Sequence, residues 1–128
     1  RRCGGGAEGQ AVSAEAIQTR VWLAQRLSAV VLAIAVTVHL VGIIVAVQGG
    51  LSAAEIIARV GGNAVMAVFY GVFVIACAVH APIGLRTVLL EMTALKPRVV
   101  DGVAGIFAGA VLVLGLRAVV GFYQLGAG

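Results

Sequence analysis

The sequence predicts an all-α membrane protein built on three transmembrane helices, with a short interfacial helix between the first and second. Three observations carry that reading. The 128 residues are 62% hydrophobic and 11% charged, where soluble domains are about a quarter charged, and mean hydropathy is +1.12. Three apolar runs each exceed the roughly 20 residues needed to cross about 30 Å of hydrocarbon. Glycine pairs and a proline-containing connector separate the runs. This composition excludes a soluble enzyme. The formal charge of +4 does not indicate nucleic-acid binding, because the basic residues are dispersed and aromatics make up 5% of the chain.

Residues 1–20 form a polar amino-terminal segment and residues 21–128 the membrane domain. The stretch RRCGGGAEGQ holds too little apolar surface to fold alone, and residues 11–20 suit an interfacial helix. The first span covers residues 21–47, and Gln48-Gly49-Gly50 ends it. In LSAAEIIARV, Ser52 and Glu55 have capping-box spacing for a short helix. Gly61-Gly62-Asn63 separates it from the second span, residues 64–90. Residues 93–98 (TALKPR) connect to the third span, residues 103–123, with Pro97 blocking continuation. Gly105, Gly109, Ala110 and Gly115 suit that span to close helix packing. Two cysteines, Cys3 in the tail and Cys77 within a span, are placed too far apart to bridge.

Positive charge sets the expected orientation. Arg1, Arg2, Arg20 and Arg26 share one side with Arg86, Lys96 and Arg98, while the other side has Arg59 and, near its interface, Arg117. The positive-inside rule puts the amino terminus in the cytoplasm and the short helix outside.

The stretch Cys77–Glu91, CAVHAPIGLRTVLLE, concentrates the chemistry. His80 is one of two histidines, and a neutral imidazole is the commonest side-chain ligand for a metal. Gly84 follows one turn later on the same face, removing bulk where a flat macrocycle would approach. Arg86 ends the apolar run within reach of an anionic cofactor group. These residues read as a haem site with His80 as ligand. His39 lies 13 residues, about 20 Å, beyond Arg26, and His80 only about 9 Å from Arg86. The histidines therefore occupy opposite halves of the membrane, and each would need a partner histidine from another chain. The competing reading makes both histidines hydrogen-bonding glue between helices.

The segment His80-Ala-Pro-Ile-Gly84-Leu-Arg86, followed by Glu91, resembles the H-x-x-x-G-x-R…D pattern of the cytochrome b membrane-anchor subunits of succinate dehydrogenase and fumarate reductase. Trp22-Leu-Ala-Gln25-Arg26-Leu-Ser28-Ala29 is similar to that family's S-x-x-H-R-x-S-G segment, keeping Arg26 and Ser28. Trp22 stands for a serine, Gln25 for a histidine, Ala29 for a glycine and Glu91 for the aspartate. The resemblance spans residues 20–123.

It implies haem b with His80 as axial ligand, and His39 as ligand of a second haem. Arg26, Arg86 and Arg117 would meet haem propionates, and Arg26, Ser28, Gln25 and Trp22 would line a quinone pocket. Glu55 is a candidate proton conduit for an outer quinone site. The implied partners are a flavoprotein subunit, an iron–sulfur subunit and a second membrane anchor, in a bacterial inner membrane, with electrons passing between the iron–sulfur subunit and quinone. The chain has neither a dinucleotide-binding fingerprint nor a cysteine set for a cluster. Two alternatives remain at this level: a haem-free three-helix anchor or assembly subunit, and the di-haem anchor of another respiratory dehydrogenase.

Overall fold

The computed structural model describes residues 5–50 and 52–127. Arg1, Arg2 and Cys3, used above for orientation and cysteine pairing, lie outside them. Four helices follow in order: α1 (Gly5–Gly49), α2 (Ala53–Val60), α3 (Ala64–Met92) and α4 (Pro97–Ala127). Among the described residues α1, α3 and α4 are long and apolar enough to cross a membrane.

α1 differs from expectation. The interfacial segment 11–20 and the first span form one continuous helix, which also takes in residues 5–10. No proline interrupts residues 11–26, and Ala, Gln, Glu and Arg recur there, all residues that propagate a helix once it has nucleated. Ser13 and Thr19 turn their hydroxyls back onto the carbonyls of Gln10 and Glu15, so they do not compete with the helix. α1 ends where Gly50 adopts φ +99°, a conformation that costs other residues about a kcal/mol or more.

α2 begins with the anticipated capping box. The Ser52 hydroxyl accepts from the Glu55 N–H, and the Glu55 carboxylate accepts from the Ser52 N–H. The Asn63 side chain then caps α3, accepting from the N–H groups of Val65 and Met66 at 3.0 and 3.3 Å. Pro82 sits buried within α3 without ending it. The second connector is shorter than expected. Pro97 opens α4, because a proline at the first helical position lacks only an N–H that would have no partner there.

α3 is the central element, packing against α1 on one side and α4 on the other, while α2 rests on α4. Gln25, Ser28, Leu32, Ala35 and His39, spaced 3, 4, 3 and 4 residues apart, are the less exposed face of α1. That 3.5-residue seam is the spacing of gently coiled antiparallel helices. The buried positions are small, β-branched or proline: Ser28, Ala35, Ala76, Pro82, Val100 and Ala104. Large apolar side chains face outward, as suits lipid rather than water.

Of the glycines expected to mediate packing in the third span, one does. A Cβ on Gly115 would come within 2.6 Å of Val74, whereas Cβ atoms on Gly105 and Gly109 would meet nothing within 4 Å. Gly61 and Gly126 also bring backbones together, and the Gly62 N–H donates to the Tyr123 carbonyl at 3.0 Å. These contacts tie the α2–α3 turn to the end of α4. Replacing Gly115 by Val should therefore lower the thermal stability of the detergent-solubilised chain by about 1–3 kcal/mol, because stiff Val74 cannot yield. Gly109→Val, with the same propensity change, should leave it within about 0.5 kcal/mol.

Candidate functional site

Two imidazoles occupy the α1–α3 seam at two levels. His80, from α3, meets α1 at Gln25 and Ser28. Its Nδ1 lies 3.4 Å from the Gln25 carbonyl oxygen and 3.4 Å from Ser28 Oγ. A carbonyl can only accept, so that contact requires the proton on Nδ1. Nε2 is then the unprotonated nitrogen, the form in which histidine binds a metal while a backbone carbonyl fixes its ring. Ser28 is buried and donates to the same Gln25 carbonyl at 3.1 Å, which locks the local geometry. Gly84 lies one turn beyond His80 on α3. A Cβ there would make ordinary contact with Gln25 Nε2 at 3.8 Å and meet nothing else within 4 Å. Beside it, Gln25 Oε1 is buried with no hydrogen-bond partner, an acceptor left open at the same level.

His39, from α1, meets α3 at Tyr70 and Phe73. Its Nδ1 is 3.3 Å from the Tyr70 hydroxyl, the Tyr70 ring stands edge-on to it, and the Phe73 ring lies stacked at 6.3 Å between centroids. Ser28 and His39 are eleven residues apart on α1, and Tyr70 and His80 ten on α3. Either count separates the two imidazoles by about 15 Å along the helices. The two-level arrangement read from depth alone is thus the arrangement of the seam.

The remaining predicted residues do not all converge. Trp22 and Arg26 pair with each other, the guanidinium lying 5.5 Å from the indole centroid, and both are exposed. Gln25 and Ser28 face α3 instead. Among the described residues no carboxylate lies within ion-pair distance of Arg26 or Arg117. Arg117 is exposed on α4, half a turn around from Gly115 and therefore directed away from α3. The Glu55 carboxylate is engaged by Ser52 in the cap of α2, and Glu91 is exposed. Cys77 carries a free thiol partway along α3.

Sequence reasoning missed Asp101. Arg86 Nε donates to Asp101 Oδ1 at 2.6 Å, an ion pair bridging the end of α3 and the start of α4. The signal was present: a four-residue connector forces α3 and α4 antiparallel, which puts the last turn of one beside the first turn of the other. Among the described residues no three His, Cys, Asp or Glu side chains converge as a metal cage.

Three apolar spans, the central one packed between the other two, define a multi-pass membrane protein. The chain belongs to the succinate dehydrogenase/fumarate reductase transmembrane subunit family, whose family model matches residues 10–122. No curated protein and no solved structure matches the chain.

The Arg86–Asp101 pair is half exposed, so each of Arg86→Gln and Asp101→Asn should cost at most about 1 kcal/mol. A double-mutant cycle by thermal unfolding should show a favourable coupling that shrinks as salt is raised.

Proposed function

We propose that this chain is the haem b-binding membrane anchor of a succinate:quinone or quinol:fumarate oxidoreductase, with His80 as axial ligand. The observation that carries this reading is the contact of His80 Nδ1 with the Gln25 carbonyl, which leaves Nε2 as the lone-pair nitrogen. Gly84 adds no side chain on the His80 face, and Arg26, with no carboxylate at ion-pair distance among the described residues, would supply a cation for the haem carboxylates, while Arg86 would have to share its charge with Asp101. When bound, a haem held through His80 would supply a one-electron carrier.

The residues of the chain do the rest. The Gln25 carbonyl and Ser28 fix the His80 ring, and the apolar seam excludes water from it. For a quinone, the Arg26 guanidinium, stacked on Trp22, would donate to a carbonyl oxygen, and the open Gln25 Oε1 beside Ser28 would accept from a quinol hydroxyl. A flavoprotein subunit would carry out the dicarboxylate chemistry and an iron–sulfur subunit would relay electrons to this anchor. A second anchor would supply the opposite imidazole. The basic residues at the Arg26 and Arg86 end favour the cytoplasmic side for that end of the bundle, in a bacterial inner membrane.

The resemblance allows His39 the same role on a second haem, and haem content decides between one and two. A dithionite-reduced minus oxidised spectrum of the purified complex, with haem quantified as pyridine hemochrome, should show b-type haem that is lost in His80→Ala. Ser28→Ala, which removes a positioning contact, should keep the haem and shift its potential. A colourless complex, or one whose spectrum survives His80→Ala, would rule out the assignment and leave a haem-free anchor.

A further inference from the structure

We propose that the outward face of α4 around Arg117 docks a transmembrane helix of a different chain, one that carries an aspartate or glutamate at the level of Arg117. The proposal goes beyond the haem reading and uses neither histidine. The face is continuous and unused by the fold. Gly102, Ile106, Gly109, Val113, Arg117 and Val120 follow one another at intervals of 4, 3, 4, 4 and 3 residues, the spacing with which α1 meets α3. All six are exposed, Ile106 and Val113 at 76% and 64%. Cβ atoms on Gly102 and Gly109 would meet nothing within 4 Å, so the two glycines serve no contact inside this chain. Exposed apolar residues alone would suit lipid, but the guanidinium among them does not.

Depth decides how costly that guanidinium is. Between Asp101 and Gln124, Arg117 is the only charged or amide side chain. At 1.5 Å per residue those two bracket about 34 Å, close to the hydrocarbon thickness, and Arg117 sits about 10 Å inside the Gln124 end. Helical side chains leave the backbone toward the helix N-terminus. For Arg117 that direction runs toward the middle of the membrane, so reaching the nearer headgroups would require the stem to double back. A guanidinium cannot shed its charge as an ammonium can, and in hydrocarbon it is costly without an anion. Among the described residues the one ion pair is Arg86–Asp101, which leaves Arg117 without a counter-charge.

The anion has to come from outside the chain, and a second copy does not supply it. Glu8, Glu15, Glu91 and Asp101 belong to the opposite end of the spans, and Ser52 engages the Glu55 carboxylate in the cap of α2. A parallel copy packed face to face would set arginine against arginine. A carboxylate on a helix of another chain could accept two parallel hydrogen bonds from the guanidinium, and Gly102 and Gly109 let the two backbones approach closely.

The test is photocrosslinking of the whole complex in its native membrane, with p-benzoylphenylalanine in place of Val113, followed by peptide mass spectrometry. Crosslinks are expected to a spanning segment of another chain, with an aspartate or glutamate within one turn of the linked residue. Arg117→Ala should reduce that crosslink by about tenfold or more. Arg117→Glu, combined with lysine in place of the partner's carboxylate, should restore it. Crosslinks to phospholipid alone would overturn the proposal in favour of a headgroup contact. Crosslinks to a second copy of this chain, to a segment without a carboxylate, or of unchanged yield in Arg117→Ala would also overturn it. An altered haem spectrum in Arg117→Ala with the crosslink unchanged would favour a haem carboxylate instead. Arg117 is exposed, so its variants report docking rather than folding of this chain. The crosslink is read without haem, so failure of the His80 assignment leaves this result readable.

Discussion

An imidazole in a bilayer has two nitrogens to satisfy and no water to satisfy them with. The arrangement of this protein follows from that constraint. Each histidine is placed in the one seam where a second helix can offer an oxygen: a backbone carbonyl for His80, a tyrosine hydroxyl for His39. In each case Nδ1 is the engaged nitrogen, and among the described residues Nε2 has no hydrogen-bond partner. The small residues of the seam, Ser28, Ala35 and Ala76, let the helices come close enough for those contacts.

The central position of α3 has the same origin. It must present His80 to α1 on one face and Val74 to Gly115 of α4 on another. α1 and α4 therefore flank it, and their remaining large side chains point outward. In water that surface would cause aggregation. In lipid it costs nothing, and it leaves broad faces for other membrane helices to cover.

Much of this was legible in the sequence, and the exceptions share a cause. Hydropathy alone located three spans, since nothing else places some twenty apolar residues in a row. Boundaries moved outward because hydropathy marks the hydrocarbon, whereas α1 runs on to Gly50, α3 to Thr93, and α4 starts back at Pro97. The Ser52–Glu55 cap was readable because its signal is local. His80 and Gly84 were readable because they share one helix. Partners from other helices were not: the Gln25 carbonyl has no sequence signature, and Tyr70 joins His39 only once helix rotation is known. Rotation also separates Gly115, at the interface, from Gly105 and Gly109 on the outside. Trp22 and Arg26 were grouped with Gln25 and Ser28 by the family resemblance, yet a helix turns by 100° per residue and sends the pairs to different faces.

α1 is the feature with the widest mechanical consequence. Its 45 residues make a rod of about 68 Å, more than twice the hydrocarbon thickness. No hinge interrupts it between the seam and its first turns. The polar first turns and the His80 seat therefore belong to one rigid body, and a tilt of about 10° in the membrane swings the far end by several ångströms. Over that length any small rotation at the seam becomes a larger displacement at the helix's first turns.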